Sequence, residues 1–402
     1  MSFVIQFMFL CFFILFPIRV LANCNLDYYF SLSDMAKEYE IKKNANDIDL
    51  LENSLTLLPN VTIGVGQQKN DEYSFKSIEQ SSLSIGISQS IYSGGVYNKT
   101  KKKLAKLKEI DSLNISLDRN RFFLSLLKDV SEYNYLLDQL KIFNEQLEKQ
   151  KDMMSKSDIM LRTGKVSHLE FSINEIKVRE AEEKISKVND DMVILQQRIL
   201  SKYKIPESQI KRINVSNIMD CKNDSERSII HSRYEVESEI ADIDSDIDKA
   251  SLKPSVSMSL MATPWPSGTI QNINKGKFDY NVSVGINIPV TNLLLSPLKD
   301  RKKTLLISSL KIKRDSDIIN NEQLIRELKI MISGIIREIT FLKDDIAVKK
   351  RKLDYIQLMY NQKKESIITF YEQLEQFQFS ELNLKRKERE LEYYKVYLDY
   401  VS

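Results

Sequence analysis

From Val96 to Arg162 the chain has neither proline nor glycine, and the first glycine beyond is Gly164. Roughly 70 residues without a breaker, at ~1.5 Å each, predict a helical rod about 100 Å long. No single globular core covers such a rod. Apolar residues recur at heptad spacing at Leu140, Leu147, Met154 and Leu161, with Tyr133 and Leu137 upstream, so the rod needs helical neighbours. What precedes it is different in kind. Ser84-Ile-Gly-Ile-Ser-Gln-Ser-Ile-Tyr-Ser-Gly-Gly95 alternates with the period of a strand and stops at two glycines. A strand therefore feeds directly into the rod.

The rest of the chain follows the same economy. Gly (10) and Pro (8) each make up about 2% of 402 residues, against the usual ~7% and ~5%. Charged residues are 29%, with 59 basic and 56 acidic. A net charge of +3 carries no nucleic-acid signature. Interspersed charge with few breakers predicts long, solvated helices.

Residues 1–22 stand apart. Phe3 to Phe16 is apolar apart from one Gln, and Val20-Leu21-Ala22 fits a small-residue cleavage site before Asn23. This predicts a signal peptide, although no Lys or Arg precedes Phe3. The apolar run of about 14 residues falls short of the ~20 that span a bilayer, and beyond residue 22 no window of 18 apolar residues occurs. Cleavage removes Cys11 and leaves Cys24 and Cys221 in an exported chain, which suggests a disulfide. The alternative is lipidation of Cys24, since Leu21-Ala22-Asn23-Cys24 loosely resembles a lipobox.

A helical pattern covers 26–55 and ends at Pro59. Asn60 to Gly66 alternates, 67–76 is a polar loop, and Ser77 to Tyr92 alternates again. The long helix ends at Thr163-Gly164-Lys165, a second runs from Ser167 to Tyr203, and 204–224 is irregular. The order then repeats: helix 225–251, strands over 255–261 and 278–290, a long helix from about Leu298 to Asn361, and a last one from about Phe370. Pro59 answers to Pro254, Gly86 to Gly285 and Gly164 to Ser366, a period near ~200 that points to duplication rather than a solenoid. The expected organisation is a signal peptide (1–22), a first repeat (23–224) and a second repeat (225–402).

Each repeat supplies two strands of the length of a tilted transmembrane strand, about 9–11 residues. Lipid admits strands only in closed barrels, and four strands do not close where about eight is the minimum. The chain is therefore expected to oligomerise. Tyr73, Phe75, Tyr92, Trp265, Phe278 and Tyr280 near the strand ends suit an interfacial girdle.

Several stretches resemble the TolC family of outer-membrane efflux proteins. Leu58-Pro59-Asn60-Val61 is similar to the family's "LPxL" strand entry, and Ser88-Gln89-Ser90-Ile91-Tyr92-Ser93-Gly94-Gly95 to its "xQxIFDGG" junction. Arg162-Thr163-Gly164-Lys165-Val166-Ser167 resembles its hairpin tip "RxxxGxxS". Lys253-Pro254-Ser255-Val256 and Gly285 to Val290, with Pro289, resemble its second-repeat "KPxL" and "GxxxxxPL". The resemblance covers essentially the whole mature chain.

It implies a mainly α fold with transmembrane β: a homotrimer with a twelve-stranded barrel in the Gram-negative outer membrane and a helical tunnel through the periplasm. Gly94 and Gly95 would sit at the membrane boundary, where strand swivels into helix. The segment 204–224 would be equatorial. Residues 26–55 would climb about 45 Å to the first strand, leaving a lipid on Cys24 far from the membrane. The resemblance thus favours a Cys24–Cys221 staple. Glu372-Gln373-Leu374-Glu375 resembles the family's "DVLD" gate, so Glu372 and Glu375 would form carboxylate rings that select cations. Arg162, Gly164 and Glu170 match tip positions, with Arg162 and Glu170 holding the closed state by ion pairs. Ser366 stands for the second turn's usual glycine. The tips, Thr163 to Ser167 foremost (Thr163, Gly164, Lys165, Ser167), would dock a periplasmic adaptor (membrane fusion protein) that links to an inner-membrane transporter. The basic run Lys99 to Lys103 suits anionic headgroups or a solvated helix face.

No catalytic constellation is evident. His168 and His231 lie on different predicted helices, and no nucleotide or zinc motif occurs. Neither enzyme activity nor a cofactor is expected. The expected function is a passive exit duct for type I protein secretion or drug efflux. The alternative is a periplasmic adaptor or coiled-coil scaffold with no channel of its own.

Overall fold

The computed structural model describes residues 24–67, 78, 81–290 and 295–402. Residues 1–22, expected to be a signal peptide, and Tyr73 and Phe75 lie outside them. The helices are α1 (Asp27–Ser31), α2 (Asp34–Leu55), α3 (Val96–Arg162), α4 (His168–Tyr203), α5 (Glu207–Ile210), α6 (Val215–Met219), α7 (Glu226–Ala250), α8 (Ser296–Asn361) and α9 (Ile367–Val401). The strands are β1 (Asn60–Gly66), β2 (Ser82–Ser93), β3 (Ser255–Pro264) and β4 (Phe278–Asn287). The element order anticipated from periodicity is present in both repeats.

The differences have local causes. Residues 26–55 form two helices because Ser33 caps the second: its Oγ accepts the Ala36 N–H at 3.2 Å. β2 begins at Ser82, where its pairing with Gly66 begins. β4 stops at Asn287 because its partner β3 begins at Ser255, just after Pro254. α9 starts three residues before the expected Phe370, since Ser366 accepts the Thr369 N–H at 3.1 Å. The segment 204–224, expected to be irregular, contains α5 and α6.

The chain packs as two units that cut across the two repeats. One comprises Glu38–Ile115 and Arg227–Asn320. It holds the antiparallel sheet, in the order β1-β2-β3-β4, together with most of α2, most of α7 and the beginnings of α3 and α8. Each repeat contributes one hairpin's worth of strands, and β2 joins β3 across the repeats with a bulge between Ser90 and Tyr92. The repeats are units of sequence, and packing mixes them.

The second unit comprises Ser116–Glu226, Asn321–Ser402 and the described part of Met1–Lys37. Here Cys24 and Cys221 form a disulfide, with Cα atoms 4.8 Å apart. The pairing favoured at the sequence level is present, and both sulfurs are committed to it. Around it Phe30, Phe122, Phe123 and Tyr203 make edge-to-face contacts. Arg119 donates to the Cys221 carbonyl at 2.6 Å and pairs with Asp27 at 2.7 Å.

The packed seam of α3 differs from the expected one. Leu140, Leu147, Met154 and Leu161 are only half-buried. Tyr133 upstream is buried as the stripe predicts, but over 140–161 the buried positions are Gln146, Gln150, Met153 and Ser157, the first of them one residue before Leu147. One residue along a helix is a rotation of about 100°, so the leucine stripe lies on the neighbouring face. Gln146 Oε1, Gln150 Oε1 and Ser157 Oγ have no hydrogen-bond partner among the described residues.

Candidate functional site

The sheet sorts its residues by face. Residues directly paired share a face, and one face carries Val61, Ile63 and Val65 on β1, opposite Ile87, Ile85 and Leu83 on β2. It continues through Met258, Leu260 and Ala262 on β3 to Tyr280, Val282 and Val284 on β4. The other face carries Thr62, Ser84, Ser88, Ser257, Ser259, Asn281 and Ser283, with glycines and one apolar residue, Met261, between them. The apolar face is uncovered: Ile63 is 72% exposed, Val284 65% and Ile286 67%. Neither β1 nor β4 has an outer partner strand among the described residues. The sheet thus has one exposed apolar face, one largely small-polar face and two edges whose backbone groups are unpaired among the described residues. Tyr92 is the penultimate residue of β2, while Phe278 opens β4 and Trp265 follows β3, placing aromatics at both ends of the strands. Among the described residues no helix is long and apolar enough to cross a membrane.

At the strand-to-helix junction both glycines have positive φ, +67° at Gly94 and +84° at Gly95. A Cβ on Gly94 would lie 2.1 Å from the Ala250 carbonyl oxygen, whereas one on Gly95 would meet nothing within 4 Å. Gly94 is thus required for both conformation and close approach, and Gly95 for conformation alone. On the second repeat β4 ends two residues before Pro289.

The second unit holds the two helix-hairpin turns. In the first, Gly164 adopts φ +67° and its N–H reaches the Leu161 carbonyl at 2.9 Å. The Lys165 N–H reaches Met160 at 2.7 Å, completing a Schellman cap. Ser167 then caps α4. Its Oγ accepts the Glu170 N–H, and its own N–H donates to Glu170 Oε2 at 3.1 Å. The second turn repeats this geometry with Lys363 at φ +59°. Its N–H bonds Tyr360, and that of Lys364 bonds Met359, both at 2.8 Å. The counterpart of Gly164 is therefore Lys363, and Ser366 answers to Ser167. This corrects the expected match of Gly164 to Ser366 and restores the spacing that separates Gly86 from Gly285. A lysine held in the left-handed region is strained by about 1–2 kcal/mol. Lys363→Gly is expected to raise stability by roughly 1 kcal/mol, visible as a higher thermal midpoint; an unchanged or lower midpoint would refute it.

The remaining tip residues fall as follows. Arg162 pairs with Asp158 one turn back at 2.9 Å and is 77% exposed. Glu170 is engaged in its capping box. Among the described residues neither forms an ion pair with the other or with the opposite hairpin, although the Glu170 carboxylate lies close enough to Tyr360 of α8 to help burial push that phenol's pKa up. Thr163 Oγ1 donates to carbonyls of its own helix. Glu372 and Glu375 lie one turn apart on the exposed side of α9. The opposite side buries Phe370, Tyr371, Leu374 and Phe377 against Leu353, Ile356 and Tyr360. Glu375 is bound by Lys177 of α4 at 3.0 Å, and Lys177 also holds Glu180 at 2.8 Å. Burial opposes the charge on Lys177, yet these carboxylates raise its pKa above the usual value. Tyr371, fully buried, donates to Asn174 Oδ1 at 2.7 Å. Lys177 and Asn174 were not anticipated, because their partners are nearly half the chain away and no local pattern marks them. His231 pairs with Glu235 on its own helix, and His168 is exposed. Among the described residues no three His, Cys, Asp or Glu side chains gather as for a metal ion.

No protein-family model matches the sequence, and no curated protein matches it. Solved structures do. The Campylobacter jejuni CmeC outer membrane channel superposes with a TM-score of 0.71 at 11% identity, over 95% of this chain and 85% of that one. The fold is that of the TolC family. The outer membrane protein VceC of Vibrio cholerae shares the TolC fold with a TM-score of 0.67 at 10% identity, over 94% of both chains. The open state of the Neisseria gonorrhoeae MtrE outer membrane channel matches at 0.67 and 11%, over 95% and 89%. Likeness over nearly full length at so little identity shows that the TolC fold is carried by pattern rather than by particular residues.

Proposed function

We propose that this chain is the outer-membrane channel of a tripartite export system. It receives cargo from an inner-membrane transporter through a periplasmic adaptor, in drug efflux or type I protein secretion. The observation that carries this reading is the sheet: an exposed apolar face, a small-polar face and two unpaired edges in one four-stranded wall. Three copies supply the twelve strands that close it, with the apolar face toward lipid. A soluble adaptor has no use for such a face, which weighs against the scaffold reading. Thr163 to Ser167 forms the exposed tip offered to the adaptor, and the energy for transport comes from the partners.

Glu372 and Glu375 serve as the cation-selecting gate. Glu375 is already balanced in part by Lys177, so Glu372 carries the larger share of the field. The test is single-channel recording of the full chain in planar bilayers. Wild type is expected to give small, cation-selective currents. Glu372→Ala should bring the cation-to-anion permeability ratio toward one and enlarge the conductance, and Glu375→Ala should do so to a smaller extent. Protein that fractionates as soluble periplasmic material and carries no current would sink the channel reading. Unchanged selectivity in the double variant would sink the gate alone.

A further inference from the structure

The helices that leave the two hairpins begin alike. Counted from its first residue, α3 carries lysine at positions four and eight (Lys99, Lys103) and bases at six and seven (Lys101, Lys102). α8 repeats this with Lys299 and Lys303, and with Arg301 and Lys302. Positions four and eight share a helix face, six lies across the helix from four, and seven sits at the edge of that face. The structure uses the two sets differently. α7 presents Asp242, Asp244, Asp246 and Asp248, and all four first-set lysines are consumed by it. Lys99 pairs with Asp246 at 3.4 Å and Lys103 with Asp244 at 2.7 Å. Lys299 pairs with Asp248 at 3.5 Å and Lys303 with Asp242 at 2.7 Å. Asp300, the acid inside the second run, is taken by Lys249. Lys101, Lys102, Arg301 and Lys302 are exposed, and among the described residues none has an acidic partner within ion-pair distance.

The pairing with α7 also sets the level of these four bases. Asp242 and Asp244 are two residues apart, as are Asp246 and Asp248, a rise of about 3 Å each. The matching positions of α3 and α8 therefore lie within a few ångströms of one another along α7. Both free pairs begin about 8 Å beyond the first residue of their helix. A bilayer's headgroup layer adds roughly 5–8 Å on each side of its hydrocarbon core.

We propose that Lys101, Lys102, Arg301 and Lys302 bind the phosphates of anionic phospholipids in the leaflet facing the periplasm, forming a basic collar that fixes how deep the barrel sits. This rests on the reading of the sheet as a membrane wall. Lys253, exposed beside Gly94, adds the same charge at the same boundary. The ion pairs with α7 explain why half of each basic run is conformational, and they leave the other half for an external anion. Phospholipid phosphate is the anion that lies beside the end of an apolar-faced strand.

The full chain would be reconstituted in phosphatidylethanolamine vesicles containing one-fifth phosphatidylglycerol. Insertion would be scored by resistance to carbonate extraction, and retained lipid counted after gentle detergent extraction. Wild type should retain phosphatidylglycerol above its bulk share. K101Q/K102Q/R301Q/K302Q should bring the retained share back to about the bulk fifth, since each basic residue near the surface adds about 1 kcal/mol of attraction to anionic lipid, while a control change at exposed Lys211 and Arg212 should leave the enrichment intact. About 0.5 M salt should remove the wild-type enrichment, because exposed charges are screened there. Inserted wild type with no enrichment, or with enrichment that survives both the quadruple change and salt, overturns the collar and leaves the channel reading standing. Wild type that fails to insert overturns both. Should the quadruple variant not insert, the salt titration on wild type decides.

Discussion

Removing the Cys24–Cys221 disulfide is expected to destabilise the unit that contains it by about 5 kcal/mol. The bond closes a loop with a sequence separation of 197. In the chain-entropy description, a cross-link over roughly 200 residues removes about 5 kcal/mol of loop entropy from the unfolded ensemble at 25 °C. The folded state keeps other ties to the same segment. Tyr400 donates to the Ile218 carbonyl at 2.6 Å, Lys222 donates to the Asp399 carbonyl, and Arg119 bridges Asp27 and the Cys221 carbonyl. Cys24→Ser/Cys221→Ser should therefore fold to the same structure with a much lower denaturant midpoint. Wild type under reducing conditions should match it, and each single variant should match the double. Equal midpoints for oxidised wild type and the double variant would show that the bond contributes nothing. A single variant far worse than the double would show that a lone buried thiol, rather than the lost cross-link, causes the damage.

Gly94→Ala should come next in size, at roughly 3–4 kcal/mol. The left-handed backbone costs an alanine about 1–2 kcal/mol, and displacing the Ala250 carbonyl adds overpacking of about 1–3 kcal/mol. That carbonyl is itself in use, accepting the Lys253 N–H at 3.1 Å at the end of α7. The change therefore disturbs the start of α3 and the entry to β3 together. Gly95→Ala makes the control. It shares the positive φ but meets no neighbour, so only the dihedral penalty of about 1–2 kcal/mol applies. Thermal midpoints in the same detergent should order as wild type, Gly95→Ala, then Gly94→Ala. Equal losses for the two glycines would remove the close-approach argument and leave conformation alone.

Much of this was legible before the fold was known. Binary alternation located all four strands, and its apolar half is the exposed face of the sheet. The absence of breakers located α3, and Gly164 and Ser167 marked its turn by residue type. These are local properties, because backbone dihedrals and the side-chain period depend on a residue and its near neighbours. The disulfide was legible in part: the count of cysteines suggested a Cys24–Cys221 pair but left lipidation of Cys24 open, and the TolC resemblance favoured the pair that is present. The TolC resemblance was likewise legible in short motifs at turns and junctions, where conformation restricts residue choice most.

Other features were not legible. Lys363 in the left-handed conformation looks like any helix-end lysine, so the second turn was aligned on Ser366. The leucines of α3 announced a face, but which face meets α4 and its neighbours depends on the partner helices, and they cover Gln146, Gln150 and Ser157. The basic run at 99–103 read as one patch until α7 divided it into lysines that hold the helix and lysines that are free. The sequence by itself determined the order of the strands and long helices, the first hairpin turn and the alternation that makes one sheet face apolar, because short-range sterics and solvation decide those. Only the tertiary structure decided that Glu375 meets Lys177, that Lys363 stands in for a glycine, and that four of the eight basic residues pair with α7. Those pairings join residues far apart in the chain, and only packing determines which of several equally suitable faces come together.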